Sequence, residues 1–153
     1  MPSASLIKEF EQLVGKENVF SSEADRQSYA YDAAVLKPMI PSLVVRPTEE
    51  EQLGQVVKRC YEEGIPMTVR GSGTNLTGGT IPDCSDTIVI LTTGLSKILE
   101  INTEDLYATV QPGVITAKFA AAVAAKGLFY PPDPGSMSVS TIGGNVAESA
   151  GGL

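Results

Sequence analysis

From Ser42 to Gly79 the chain reads strand, helix, strand and then glycine-rich loop, and this order restricts the fold more than any other feature of the sequence. Ser42-Leu43-Val44-Val45-Arg46 is a short apolar run of the kind buried inside a sheet, closed by Pro47. Thr48-Glu49-Glu50-Glu51 reads as a capping box, with Thr48 as N-cap and Glu51 reaching back to it. Leu53, Val56, Val57 and Cys60 then recur at helical spacing until Gly64 stops the helix. Pro66 to Arg70 reads as a second strand. A helix of roughly 16 residues between two strands makes a βαβ unit, whose strands should run parallel.

The flanking segments complete an α+β unit. Leu6, Phe10, Leu13 and Val14 fall on one stripe of a helix over Ser5–Val14. Ser21–Ala34 has no clear period, and its Tyr29 and Tyr31 read as packing residues. Further on, a strand is expected over Thr87–Leu91 and a hairpin from Ile98–Ile101 with Tyr107–Val110. Gln111-Pro112-Gly113 should turn, and Thr116–Lys126 should form an Ala-rich helix with Phe119 and Val123 inward, ended by Gly127. Phe129–Leu153 is rich in Pro, Gly and Ser, and little regular structure is expected there. A length of 153 residues suits one domain, with residues 1–40 a helical lead-in to residues 41–153.

The loop Arg70-Gly71-Ser72-Gly73-Thr74-Asn75-Leu76-Thr77-Gly78-Gly79 carries the chemistry. Glycines let the backbone approach a ligand and turn successive N–H groups toward one point, which makes a nest for an anion such as a phosphate. Ser72, Thr74 and Asn75 can add side-chain hydrogen bonds. A dinucleotide fingerprint would need glycine where Leu76 stands, and an ATP-binding loop would need lysine where Gly79 stands. Recognition by neutral amides suits a chain with 18 acidic against 11 basic residues and a net charge of −7. That balance disfavours nucleic acid.

The absence of histidine removes Ser-His-Asp and Cys-His nucleophiles and His-based metal sites. Cys60 and Cys84 form no motif, and Cys60 reads as a core residue. No apolar run approaches the ~20 residues of a membrane span. Lys8, Glu9 and Glu11 interrupt the N-terminal segment unlike a signal peptide, so the cytoplasm is the expected compartment.

A second Gly- and Pro-rich region, Tyr130-Pro131-Pro132-Asp133-Pro134-Gly135-Ser136 followed by Ser140-Thr141-Ile142-Gly143-Gly144-Asn145-Val146-Ala147-Glu148, completes a pattern. Together with Val69–Asn75, Gly78-Gly79 and Gln111-Pro112-Gly113, it resembles the FAD-binding domain of the vanillyl-alcohol-oxidase or p-cresol-methylhydroxylase type. Within that type it is most similar to the branch of FAD-linked D-lactate dehydrogenases and the flavin-binding chain of glycolate oxidase. The likeness runs from about Pro41 to the end, with a weaker part at Tyr31-Asp32.

The resemblance implies an N-terminal βαβ unit joined to a second, mixed or antiparallel β subdomain, incomplete here. It implies that Arg70, Gly71, Ser72, Gly73, Thr74 and Asn75 cradle the FAD pyrophosphate, with Gly78 and Gly79 alongside. Pro112, Gly113, Pro131, Asp133, Pro134, Gly135, Ser140, Thr141, Gly143, Gly144, Asn145 and Ala147 would line the rest of the cofactor. Relatives with covalent flavin carry a histidine where Thr74 stands, so FAD is expected to be non-covalent. Gly135 and Ser149 depart from the Ser and Asn common in this branch.

The implied reaction is oxidation of a small 2-hydroxy acid, glycolate or D-lactate, to the 2-oxo acid. The substrate would bind through a C-terminal domain absent from this chain, and the resemblance admits partner subunits of an oxidase complex. No catalytic and no metal-binding residue is expected here. Alternatives are another flavoenzyme of the same fold, of the ether-lipid synthase or cell-wall precursor reductase type, or a non-catalytic module that lost its cofactor. A chain stopping inside its cofactor domain is expected to bind FAD weakly, turn over no substrate and self-associate through exposed strand edges.

Overall fold

Helix α1 (Ala4–Val14) starts where the Ser3 hydroxyl accepts the Leu6 N–H, and it turns Leu6, Phe10 and Val14 inward. The computed structural model describes residues 2–152. After Gly15, a 3-10 turn leads into β1 (Val19–Phe20) and the short helix α2 (Glu23–Gln27). These two pieces are too short to leave a period in the sequence. Of the two tyrosines that follow, Tyr29 packs against Phe20 with ring centroids 5.9 Å apart. Tyr31 is 54% exposed, which corrects its assignment as a packing residue.

Next come β2 (Leu43–Val45), α3 (Glu50–Glu62), β3 (Met67–Arg70) and β4 (Ile88–Leu91). The sheet order is β1-β2-β4-β3. Strand β4 lies between β2 and β3 and is parallel to both, with Val44 opposite Val89 and Thr68 opposite Val89. The two strands of the βαβ unit are therefore co-directional but not adjacent. Strand β1 closes the far edge antiparallel to β2.

Alternation along the central strands splits the core between two faces. Leu43, Val45, Ile88 and Ile90 pack under α1 and α3 with Phe10, Val56 and Cys60. Val44, Val89 and Leu91 face Phe20 and Tyr29. Val57 is 38% exposed, so the buried stripe of α3 is narrower than its spacing implied.

The start of α3 also corrects the sequence reading. Glu49, not Thr48, is the N-cap, and Gln52, not Glu51, reaches back. The Gln52 Oε1 atom accepts the Thr48 N–H at 2.9 Å and the Glu49 N–H at 3.2 Å. One amide oxygen thus serves two orphan donors, and Glu51 is left to accept from Gln55 on the exposed flank at 3.3 Å.

A smaller unit follows. Strands β5 (Ile98–Asn102) and β6 (Tyr107–Val110) form the expected antiparallel hairpin. Helix α4 (Thr116–Ala124) packs Phe119 and Val123 beneath it with Val114, and Tyr130 meets Phe119 edge-on at 4.8 Å. The region after Phe129 is not wholly irregular. Helix α5 (Ile142–Ala147) is capped by Thr141, whose Oγ1 accepts the Gly144 N–H at 3.2 Å. Two glycines, poor helix formers, conceal it in the sequence.

Candidate functional site

The carboxyl ends of parallel strands are where open α/β sheets bind ligands, and both β3 and β4 deliver residues to one cleft there. Gly71 follows β3 directly and Thr92 follows β4, and both line the cleft. The opposite wall comes from Pro112 and from α5 with its flanks. The cleft encloses about 250 Å³. That is the low end for a ligand site and suits the polar middle of an extended cofactor better than its whole length.

Two glycine-rich segments far apart in sequence are bonded across this cleft. The Ser72 hydroxyl donates to the Val139 carbonyl at 2.6 Å, and the Thr77 hydroxyl donates to the Glu148 carboxylate at 2.9 Å. Close approach explains several of the glycines. A Cβ on Gly71 would strike Thr141 Oγ1, and one on Gly143 would sit 2.6 Å from Pro112 Cβ. Gly73 adopts φ +70, and a Cβ there would strike the Arg70 guanidinium.

A continuous stretch of unengaged amides in the cleft lies on the first loop. Among the described residues, the amides of Gly71, Ser72, Gly73, Thr74 and Asn75 donate to no backbone or side-chain acceptor. The first amides of α5, by contrast, are engaged. Ile142 N–H donates to Val114 O, Gly143 N–H to Pro112 O and Asn145 N–H to Thr141 O, each at 2.9 Å. Five successive unengaged amides along a cleft wall can receive an anion, while α5 serves to hold the opposite wall in place.

Of the residues expected to touch a cofactor, the cleft gathers Gly71, Ser72, Gly73, Thr74, Asn75 and Gly79 from the first loop. It also gathers Pro112, Thr141, Gly143, Gly144, Asn145 and Ala147. Arg70 is absent from the lining. Its buried guanidinium donates to the Tyr31 carbonyl at 2.6 Å and to Thr80 Oγ1 at 3.2 Å, and it lies over the Tyr29 ring. Burial lowers its pKa and the Asp32 charge opposes that shift. Gly113 is packed beneath the Thr92 and Leu95 carbonyls. Ser140 is buried, with its hydroxyl 2.9 Å from Thr116 Oγ1. Gly78, at φ +80, meets Leu36 instead.

Pro131, Asp133, Pro134 and Gly135 stand outside the cleft, and Asp133 N–H donates to Gly151 O. Conversely, the cleft includes Thr80, Thr92, Ser136 and Glu148, which the motif reading did not assign to cofactor binding. Thr92 was recoverable from its position just after a core strand. Thr80 carried no sequence signal of its own.

A larger, more open groove of about 600 Å³ lies at the amino ends of the same strands, beside Ser42, Pro66 and Asp86. Two of its charged side chains, Arg59 and Glu63, are paired with each other, and it holds none of the motif residues. Among the described residues, no His/Cys/Asp/Glu group could hold a metal, and no helix is long and apolar enough to cross a membrane.

The FAD binding domain family matches residues 41–153. Glycolate oxidase subunit GlcD of Bacillus subtilis (strain 168) is 48% identical over 142 residues, covering 93% of this chain and 30% of that protein. D-lactate dehydrogenase of Anaerostipes hadrus is 33% identical, covering 97% of this chain and 31% of that protein. The chain therefore spans about a third of the length of these relatives. Among solved structures, p-cresol methylhydroxylase with substrate bound superposes with a TM-score of 0.80 at 25% identity, covering 93% of this chain and 28% of that one. The fold is thus that of the FAD-binding domain of the p-cresol methylhydroxylase type.

Proposed function

This chain belongs to the FAD binding domain family, and from that premise we propose that its cleft holds the diphosphate of FAD non-covalently on the amides of Gly71 to Asn75. The observation that carries this reading is a run of amides without an in-chain acceptor whose first five members, Gly71 to Asn75, line a cleft that the second glycine-rich segment closes. Neutral main-chain donors hold a diphosphate without lysine or arginine, which fits a chain of net charge −7. Pro131, Asp133, Pro134 and Gly135, outside the cleft, are assigned to the length of the cofactor beyond its diphosphate. Thr74 holds the first-loop position where covalent relatives carry histidine, so denaturation should release intact FAD.

Bound FAD would supply the acceptor for the hydride equivalent, and this chain's own contribution is binding and orientation. For the whole protein we assign oxidation of a small 2-hydroxy acid, glycolate or D-lactate, to the 2-oxo acid. The named activities of the relatives at 48% and 33% identity support this assignment. No residue of the chain is assigned to the substrate. A partner subunit belongs to the same reading, because the Bacillus relative is named as a subunit. So does the cytoplasm, where the free thiols Cys60 and Cys84 stay reduced.

The test is a fluorescence and absorbance titration of the intact protein with FAD. A shifted flavin band with saturable quenching is expected. Gly73→Val forces a β-branched residue to positive φ at a cost of about 1–3 kcal/mol, so affinity should fall by on the order of tenfold or more. Absence of saturable binding by the unaltered protein would overturn the reading.

A further inference from the structure

Asp32 lies outside the stretch matched by the family and lines no part of the cleft, yet it is only 8% exposed. Its carboxylate is fully engaged. Oδ1 accepts the Ala34 N–H at 2.8 Å, and Oδ2 accepts Asn75 Nδ2 at 2.7 Å. Thr80 Oγ1 lies 3.3 Å from Oδ2 and 3.2 Å from Asn75 Oδ1, and it accepts a hydrogen bond from Arg70 at 3.2 Å. Arg70 is also the group whose guanidinium a Cβ on Gly73 would strike. Asp32, Arg70, Asn75 and Thr80 thus form one network beneath the first loop, and its outer members, Asn75 and Thr80, line the cleft.

We propose that Asp32 is a positioning residue for the cofactor site, fixing Asn75 and Thr80 and thereby holding the Gly71–Asn75 amides in their anion-accepting arrangement. The proposal rests on the reading that those amides hold the FAD diphosphate. Two physical effects of the carboxylate oppose each other. As a negative charge near a diphosphate, Asp32 weakens binding, so its removal should tighten the site. As the anchor of the loop, it strengthens binding, so its removal should loosen it. The buried Arg70 guanidinium offsets the charge, and the hydrogen bonds to Asn75 and Ala34 are charge-assisted and short. Positioning therefore outweighs repulsion.

The experiment is titration of the intact protein and its Asp32→Ala variant with FAD and, separately, with ADP, which carries the diphosphate without the flavin. Both affinities should fall together by about tenfold or more. The Asn75→Ala variant should fall similarly, and Asp32→Ala added to it should cost little more, because the two act as a unit. Unchanged or tighter binding of FAD by Asp32→Ala, while the unaltered protein binds normally, overturns the proposal alone. Failure of the unaltered protein to bind FAD or ADP overturns the underlying reading instead. If Asp32→Ala does not fold, Asp32→Leu, which fills a similar volume without any acceptor, carries the same test. Weakened binding supports the proposal and retained binding overturns it.

Discussion

At the scale of single residues, the cleft depends on side chains that are not there. Gly71 leaves room for Thr141 Oγ1, the same oxygen that caps α5. Gly71→Ala should destabilise by about 1–3 kcal/mol through overpacking, and Thr141→Ala by about 1 kcal/mol through loss of the cap. The double variant should lose less than the sum, because removing Oγ1 relieves the clash, and urea unfolding of the four proteins checks this. Cys60 makes a second prediction. Burial raises its pKa from 9.0 to about 11. The folded state therefore keeps the thiol proton in a range where the unfolded chain gives it up. Stability present below pH 9 should be lost as pH climbs toward 11, a loss that Cys60→Ala should abolish in a pH series of melting curves.

The glycine-rich loop was legible at this scale because composition alone forces an unusual backbone. The roles of Arg70 and Asp32 were not. They depend on the Tyr31 carbonyl and on Thr80, partners that only the folded chain brings near.

Among the elements, the helix ends show what local sequence can and cannot say. Helix α3 ends on Gly64 at φ +64, with Ile65 N–H returning to Cys60 O at 2.9 Å and Gly64 N–H to Tyr61 O at 3.1 Å. After α4, Gly127 at φ +76 and Leu128 close in the same way on Ala124 and Val123. Both stops were readable from the glycine. Helix α5 makes the same closure, Ala150 N–H to Asn145 O at 2.8 Å and Ser149 N–H to Val146 O at 3.4 Å, but with Ser149 at φ +53. Serine gives no stop signal, which is a second reason the helix was hidden. Ser149→Gly should relieve about 1–2 kcal/mol of left-handed strain against about 0.4–1 kcal/mol of added unfolded-chain entropy, a net stabilisation of up to about 1.6 kcal/mol. Ser149→Asn should do nearly as well, and thermal unfolding compares the three. The N-terminus of α3 shifted by one residue because Gln52 reaches two amides at once, a choice between adjacent acidic and amide side chains that spacing cannot make.

For the whole molecule, strand order and the meeting of the two loops lay beyond the sequence reading. Consecutive apolar runs predicted buried parallel strands, but nothing in them says that β4 inserts between β2 and β3. The segment before residue 41 shares the core of the sheet that follows it. Phe10, Val14 and Val19 join the core formed by β2, β4 and α3, and Arg46 binds Asn18 through its N–H and its guanidinium, at 2.9 and 2.8 Å. Phe10→Ala should therefore cost about 3–5 kcal/mol and destabilise the whole sheet, not α1 alone. Coincident loss of far-UV ellipticity and of cleft binding on one denaturation curve is the expected result.

The Ser72–Val139 bond spans 67 residues and the Thr77–Glu148 bond spans 71. At a synthesis rate of roughly 5–20 residues per second, the first loop emerges about 3–14 s before its opposite wall exists. Strand, helix and strand can form on the ribosome in that interval, but the cleft cannot. Cofactor loading therefore belongs after the second loop has been translated.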